Sequence, residues 1–160
     1  MALDADNIII GAAEVSLDGT DVGHTTGGTS FRYEPSFSDI ESDQAVGVVR
    51  KAKNSEKMFV ATQMLEGTLA NLKLAMGQPA TNLVGSTLTI GYNDSCFIVE
   101  HSVILVGPSP SCGTRTITFT KCVSMGTLEY QMQKDNPSQL NLELEVLKTD
   151  AGIFGTIVDS

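Results

Sequence analysis

"FRYEPSFSDIESDQAVGVVRKAKN", residues 31–54, alternates like a strand, passes through a polar stretch and alternates back. Successive side chains of a strand point to opposite faces. On the first arm Phe31, Tyr33, Pro35 and Phe37 therefore share one face, and Ser30, Arg32, Glu34 and Ser36 the other. The second arm, Gln44 to Lys53, is less regular: Val46 and Val48 share a face with Arg50, and Val49 shares one with Lys51 and Lys53. The tip, Ser38 to Asp43, is polar and acidic. The stretch predicts a long β-hairpin over about residues 28–53. Two strands alone are marginally stable in water, and a free strand edge invites pairing. Two outcomes stay open. The hairpin lies on the core of its own sandwich, or it pairs edge to edge with copies of itself until a ring closes the sheet and removes every edge. In the second case the polar faces line a wet channel and the apolar faces turn outward onto the subunit bodies.

The rest of the chain speaks mostly in period two. Ala13 to Leu17 alternates, Asp18-Gly19 makes a turn and Asp21-Val22 resumes, which is a hairpin signal. Ser86 to Tyr92 alternates up to a turn at Asn93-Asp94. Phe97 to Val106 is richer, with Val103-Ile104-Leu105-Val106 expected to be buried on both faces, and Gly107-Pro108-Ser109-Pro110-Ser111 is expected to end it. Thr114 to Val123 and Gly126 to Lys134 follow as strands. They form an expected second hairpin, with Thr116, Thr118 and Thr120 opposite Ile117 and Phe119, and with Thr127, Glu129, Gln131 and Gln133 opposite Leu128, Tyr130 and Met132. Leu140, Leu142, Leu144 and Val146 make one face of another strand, and Phe154 to Val158 closes the series.

One segment has a different period. Leu65, Leu69, Leu72 and Met76 are spaced as the apolar stripe of a helix, about residues 66–76, with Thr68 near its N-cap and Gly77 and Pro79 as its stop. So short a helix is marginal alone, and its stripe is expected to lie on a sheet. With no repeat and no linker, the 160 residues read as one domain. The fold class is mainly β, an antiparallel sandwich or barrel with one short flanking helix and a long protruding hairpin.

Composition narrows function. The net charge is −9, of which residues 1–50 carry −7, and such a surface repels phosphate. No apolar run approaches about 18 residues, so no membrane span is expected. The first residues lack the basic and apolar regions of a secretory leader, and 1–7 read as a polar arm. Cys96, Cys112 and Cys122 form no C-x-x-C pair and read as reduced thiols, with one disulfide within or between subunits left open. No catalytic and no metal site is read. His24 and His101 have no nucleophile or metal partner by spacing, Cys112 in "PSCGT" has no indicated base, and "GYNDSC" offers only Asp94 as a charged oxygen. There is no P-loop and no G-x-G-x-x-G, and no cofactor is expected.

The order of these elements resembles the tail tube proteins (major tail proteins) of tailed bacteriophages. "AEVSLDGTDVGHTTGG" (13–28) resembles their opening strand and turn and the Gly/Thr-rich lead into a long hairpin. "EPSFSDIESDQ" (34–44) resembles the acidic loop of that hairpin. "VATQMLEGTLANLKLAMG" (60–77) is similar to the strand that runs into the single helix, and "PSQLNLELEVLKTDAGIFGTI" (137–157) to the closing strands. The likeness spans most of the chain and lies in the ordered set, not in one motif. It implies hexameric rings whose hairpins merge into one β-barrel, stacked into a tube through which DNA leaves the capsid. It implies a virion location after synthesis in the host cytoplasm. It also implies tape-measure, tail terminator and baseplate or tip proteins as partners, with a sheath where the tail is contractile. Ser30, Arg32, Glu34, Ser36, Thr127, Glu129, Gln131 and Gln133 become the expected lumen residues, with Arg32 pairing to Glu34 or a neighbour. Asp39, Glu41 and Asp43 could meet Arg50, Lys51 and Lys53 of the next ring, or both clusters could simply be solvated. The alternatives are a ring component of a tail or injection machine other than the tube, and a β-sandwich binding module. Against the last, the chain has no Trp and only 6% aromatic residues, whereas sugar-binding faces need aromatic platforms.

Overall fold

The computed structural model describes residues 5–91, 98–125 and 127–160. Ten strands and one helix follow in order: β1 (Glu14–Leu17), β2 (Thr20–Asp21), β3 (Thr25–Ser42), β4 (Ala45–Met64), α1 (Leu69–Ala75), β5 (Leu83–Val84), β6 (Thr87–Leu88), β7 (Glu100–Ser109), β8 (Gly113–Ser124), β9 (Leu140–Val146) and β10 (Gly155–Asp159). The main sheet is antiparallel, ordered β2-β1-β7-β8-β9-β4-β3, with β10 also on β8; β5 and β6 pair separately. The fold is mainly β with one short helix, as the alternation predicts.

β8 joins the two halves. Its first half carries β10, from Arg115↔Asp159 to Phe119↔Gly155, and its last three residues carry β9 instead. Gly155 suits that exchange, because a Cβ there would stand 2.2 Å from the Thr118 carbonyl oxygen. The sheet doubles over at this point, so that Val103 and Leu105 of β7, Val15 and Leu17 of β1, and Leu140, Leu142 and Leu144 of β9 enter one core with Val60 and Met64. Each such side chain contributes about 1.5–3 kcal/mol when fully buried.

Several sequence expectations need correction. The run 103–106 is not buried on both faces: Val103 and Leu105 are buried, while Ile104 and Val106 are half-buried. Gly107-Pro108-Ser109 does not end β7, because Pro108 falls opposite Thr114 within the ladder and the turn waits for Pro110–Cys112. Of the expected strand 86–92, only Thr87–Leu88 is strand among the described residues; Tyr92, the Asn93-Asp94 turn, Cys96 and the start of the run at Phe97 lie outside them. The Asp18-Gly19 turn stands, with both residues at positive φ, 49° and 78°, as a two-residue hairpin turn favours.

The helix is where expected but rotated. Thr68 is its N-cap and accepts from the Asn71 N–H at 3.2 Å; Gly77, at φ 61°, follows the C-cap Met76. The buried positions are Asn71, Leu74 and Ala75, with Gln78 buried just past the helix end, whereas Leu69 is exposed and Leu65, Leu72 and Met76 are half-buried. Asn71 turns the helix, because its Nδ2 donates to the carbonyls of Val22 at 2.9 Å and Glu66 at 2.8 Å.

Candidate assembly surface

β3 and β4 form a hairpin whose base belongs to the body and whose outer part does not. Residues 58–64 of β4 pair with β9, but 45–57 pair only with β3, and β3 ends the sheet with an open outer edge. The hairpin is longer than about 28–53: its ladder runs from Thr25↔Met64 to Ser42↔Ala45. The expected acidic loop is strand up to Ser42, which leaves Asp43-Gln44 as the turn. Gly27 and Gly28, at φ 71° and 81°, make the irregularity between Thr26 and Ser30 that only residues without a Cβ adopt freely.

The two faces separate as the alternation predicts. Phe31, Tyr33 and Phe37 continue the core-facing side beyond the core and remain 44–53% exposed, and Ile40, 43% exposed, falls on the other face near the tip. Phe31 meets Phe119 edge-on at 6.4 Å, the last aromatic contact before this face leaves the body. Val46, Val48 and Val49 are exposed as well. A row of large apolar side chains in water is the mark of a surface that meets something.

On the opposite face Ser30, Arg32, Glu34 and Ser36 stand beside Ala61, Phe59, Lys57 and Ser55 of β4, and Ala61 and Phe59 stand beside Glu143 and Glu145 of β9. Arg32 is held in place. Its Nε donates to Glu34 Oε1 at 2.6 Å, Nη2 lies 3.9 Å from Glu143, and its guanidinium sits 4.8 Å over the Phe59 ring. Of the two cations of this face, Arg32 and Lys57, Arg32 is thus neutralised within the chain.

Thr127, Glu129, Gln131 and Gln133 do not form the second hairpin that the alternation suggests. Residues 127–134 belong to no strand, and β8 spends its edges on β7, β10 and β9. The segment keeps its two faces all the same. Leu128 and Tyr130 pack against the core, while Gln131 donates to Glu129 at 2.6 Å and Gln133 to Gln131 at 2.8 Å. Glu129, Gln131 and Gln133 share a cleft with Asn141 of β9, whose neighbours Glu143 and Glu145 flank β4. Ser30, Arg32, Glu34 and Ser36 thus share one face of the hairpin, and Glu129, Gln131 and Gln133 line a cleft with Asn141 of the neighbouring β9; Thr127 is exposed but does not line that cleft.

The charges of the hairpin are largely spent inside it. Lys51 Nζ donates to Asp39 Oδ1 at 2.6 Å, and Lys53 donates to Tyr33 Oη at 2.8 Å and to Glu56. Among the described residues Glu41, Asp43 and Arg50 enter no ion pair. Glu56, unremarkable in sequence, is the anchor of the hairpin. It accepts from Lys148, which follows β9, from Lys53, and from Tyr33 at 2.5 Å. Those three donors, Lys148 first, hold its carboxyl down at about 2. The bond to Glu56, then that to Tyr33, raises Lys53. Asn54 is the extra residue of a bulge here, because Ser36 faces Ser55 and Phe37 faces Lys53. The projecting part starts at a bulge and a clasp.

The sequence also hid a pair at the far side of the body. His101 is buried, its Nδ1 2.7 Å from Asp18 Oδ2, and Asp18 Oδ1 accepts the Ser102 N–H at 2.8 Å. Partial burial works to raise Asp18, but these bonds outweigh it and its carboxyl lies below the usual range. Cys122, directly across the ladder from His101, is pushed up to about 12 by burial and then by the Asp18 charge. A thiol held protonated is a poor nucleophile, so this cluster reads as a clamp of the β1–β2 turn onto β7. Cys112 and Cys122 are free thiols. Among the described residues no group of His, Cys, Asp and Glu is arranged to hold a metal, and no helix is long and apolar enough to cross a membrane.

No protein-family model matches the chain, and no curated protein matches it.

Proposed function

We propose that this chain is a self-assembling structural protein whose copies form rings by joining hairpins into one closed β-barrel. The stacked rings serve as a tail-tube conduit for DNA. One observation carries the reading: the outer part of β3–β4 has an open edge and an exposed apolar face at once. A hairpin so built is unstable in solitude, and a second copy satisfies both defects together. Head-to-tail pairing is heterologous, and it ends only when the rotation between copies closes a ring.

The polar surface suits a conduit. A passage for a polyanion must repel it or ignore it. Glu34, Glu143, Glu145 and Glu129 outnumber Arg32 and Lys57, and Arg32 is occupied by Glu34. The amides of Gln131 and Gln133 donate to their own neighbours. Such a wall offers phosphate few free donors, so DNA would pass without being held. On this reading the protein acts without catalysis or cofactor. Its further partners would be the components that set tube length and cap its ends, with a sheath outside where the tail contracts.

Electron microscopy of the purified, concentrated chain tests the proposal. Hollow tubes of uniform diameter support it. Isolated rings would point to a ring component other than the tube, and a chain that stays single-copy at high concentration would overturn it.

A further inference from the structure

Residues 127–133 alternate in sequence, yet they pair with no strand. Side-chain bonds between positions two apart, Glu129 to Gln131 to Gln133, run along one face of an extended chain. Immediately before this segment β8 is laddered to β9: Cys122↔Val146, Val123↔Glu145 and Ser124↔Leu144. One further bond continues that register, Met125 N–H to the Glu143 carbonyl at 3.4 Å. The two chains then part around a cavity of about 320 Å³, with Glu129 and Gln131 on one wall and Gln139 and Asn141 on the other.

Counting on in the same register sets Thr127 opposite Asn141, Leu128 opposite Leu140 and Glu129 opposite Gln139. Burial agrees at every step. Thr127, Asn141, Glu129 and Gln139 are all exposed; Leu140 is buried and Leu128 packs on the same core. A one-residue slip would set each outward side chain against an inward one.

We propose that residues 127–131 are an unzipped continuation of β8. They close onto β9 in this register, and the outer edge thus created receives the β3 edge of a second copy. The occupant follows from the faces. β3 offers the longest open edge in the chain. Its Phe31 and Tyr33 match Leu128 and Tyr130 on the apolar side, and its Ser30 and Arg32 match Glu129 and Gln131 on the polar side. The closed seam gives each copy a run β3-β4-β9-(127–131), with complementary edges at its two ends. A short polar strand paired on one side gains too little to order itself, whereas pairing on both sides orders it. The seam therefore closes transiently in the free chain and fully in the ring. The second-copy half rests on the ring reading above; the β9 half does not.

Two measurements separate them. In a Cys96→Ser, Cys112→Ser background, Thr127→Cys with Asn141→Cys is oxidised in dilute free chain, against Glu129→Cys with Asn141→Cys. Residues facing each other in a ladder stand about 5.5 Å apart at Cα, within disulfide reach, and a two-residue offset does not. The in-register pair should close at least tenfold faster; equal rates, or a faster offset pair, overturn the ladder with β9. In assembled wild-type protein, amide exchange reads the second half. Continuing the Met125–Glu143 bond, Thr127 and Glu129 N–H groups point to β9, and those of Leu128 and Tyr130 point to the outer edge. Slowing of all four by tenfold or more supports the proposal. Slow Thr127 and Glu129 with fast Leu128 and Tyr130 overturns the β3 contact alone. A chain that never assembles overturns the ring reading and with it that contact, while the disulfide ratio still decides the seam.

Discussion

Lys51 Nζ donates to Asp39 Oδ1 at 2.6 Å across a single hairpin, so an acid and a base that could have linked neighbouring rings are spent on each other. Glu41, Asp43 and Arg50 remain as the charges near the tip able to meet another copy. Exposed pairs contribute only about 0–1 kcal/mol each, but a ring multiplies them. Neutralising Glu41 and Asp43 to Gln and Asn should raise the concentration needed for assembly and flatten its salt dependence. Asp39→Asn should change neither by as much. Turbidity or sedimentation across a salt series checks this, and equal effects of the two variants would refute it.

Glu56 predicts a pH window. Its carboxyl lies at about 2 in the fold against 4.5 for a free glutamate, held first by Lys148 and then by Lys53 and Tyr33. A lowered acid stabilises the fold fully above its unfolded value and loses that contribution as pH falls through the folded one. Glu56→Gln should therefore melt below wild type at neutral pH, and the two melting curves should converge between pH 4.5 and about 2. Thermal melts at five or six pH values test it; a gap that persists at pH 2 would show that the loss is not electrostatic.

The sequence reveals the sheet better than the helix or the seam. Strands β8 and β9 announce themselves because Ile117, Phe119, Leu140, Leu142 and Leu144 alternate with polar residues, and burial follows that alternation. The helix misleads because one of its three inward positions, Asn71, is polar, as is Gln78 just past its end, and they find partners 49 and 13 residues away, at the Val22 carbonyl and the Gly91 N–H. No local pattern can report such distant partners. Residues 127–133 read as a strand since alternation is all that sequence can show, whereas a strand also needs a neighbour. The Glu56 clasp was invisible for the same reason: Lys148 lies 92 positions away, and only the fold brings it near.

The rotated helix has a measurable consequence. Leu74 is 4% exposed and Leu69 is 37% exposed. Leu74→Ala should cost about 2–5 kcal/mol, as large-to-small changes in a core do. Leu69→Ala should cost well under half of that. Asn71→Ala should cost about 1–3 kcal/mol, because it leaves the Val22 and Glu66 carbonyls without their donor. Urea unfolding of the three variants ranks them, and a Leu69 variant weaker than the Leu74 variant would restore the 65–69–72–76 stripe as the packed face.

The lining prediction turns on sign. Glu34 sits with Arg32 at 2.6 Å, so replacing it by Lys both adds a cation and releases the guanidinium it had neutralised. Glu129 accepts the Gln131 amide at 2.6 Å, and a Lys there frees that donor as well. Neither side chain is in the core and the seam is made by backbone bonds, so tubes should still form, at a higher protein concentration because Glu129 faces Arg32 of the neighbouring copy there. The double variant Glu34→Lys, Glu129→Lys should nevertheless bind short duplex DNA in assembled tubes where wild type does not. Binding through released counterions falls linearly with the logarithm of salt concentration, so its slope identifies phosphate contact. In a phage carrying the variant, DNA ejection should slow while tail length stays the same. If the tubes of the double variant ignore DNA at low salt, this polar surface does not face the lumen; a one-residue slip of the hairpin, or the opposite curvature of the ring, would then place Phe31, Tyr33 and Phe37 inside instead.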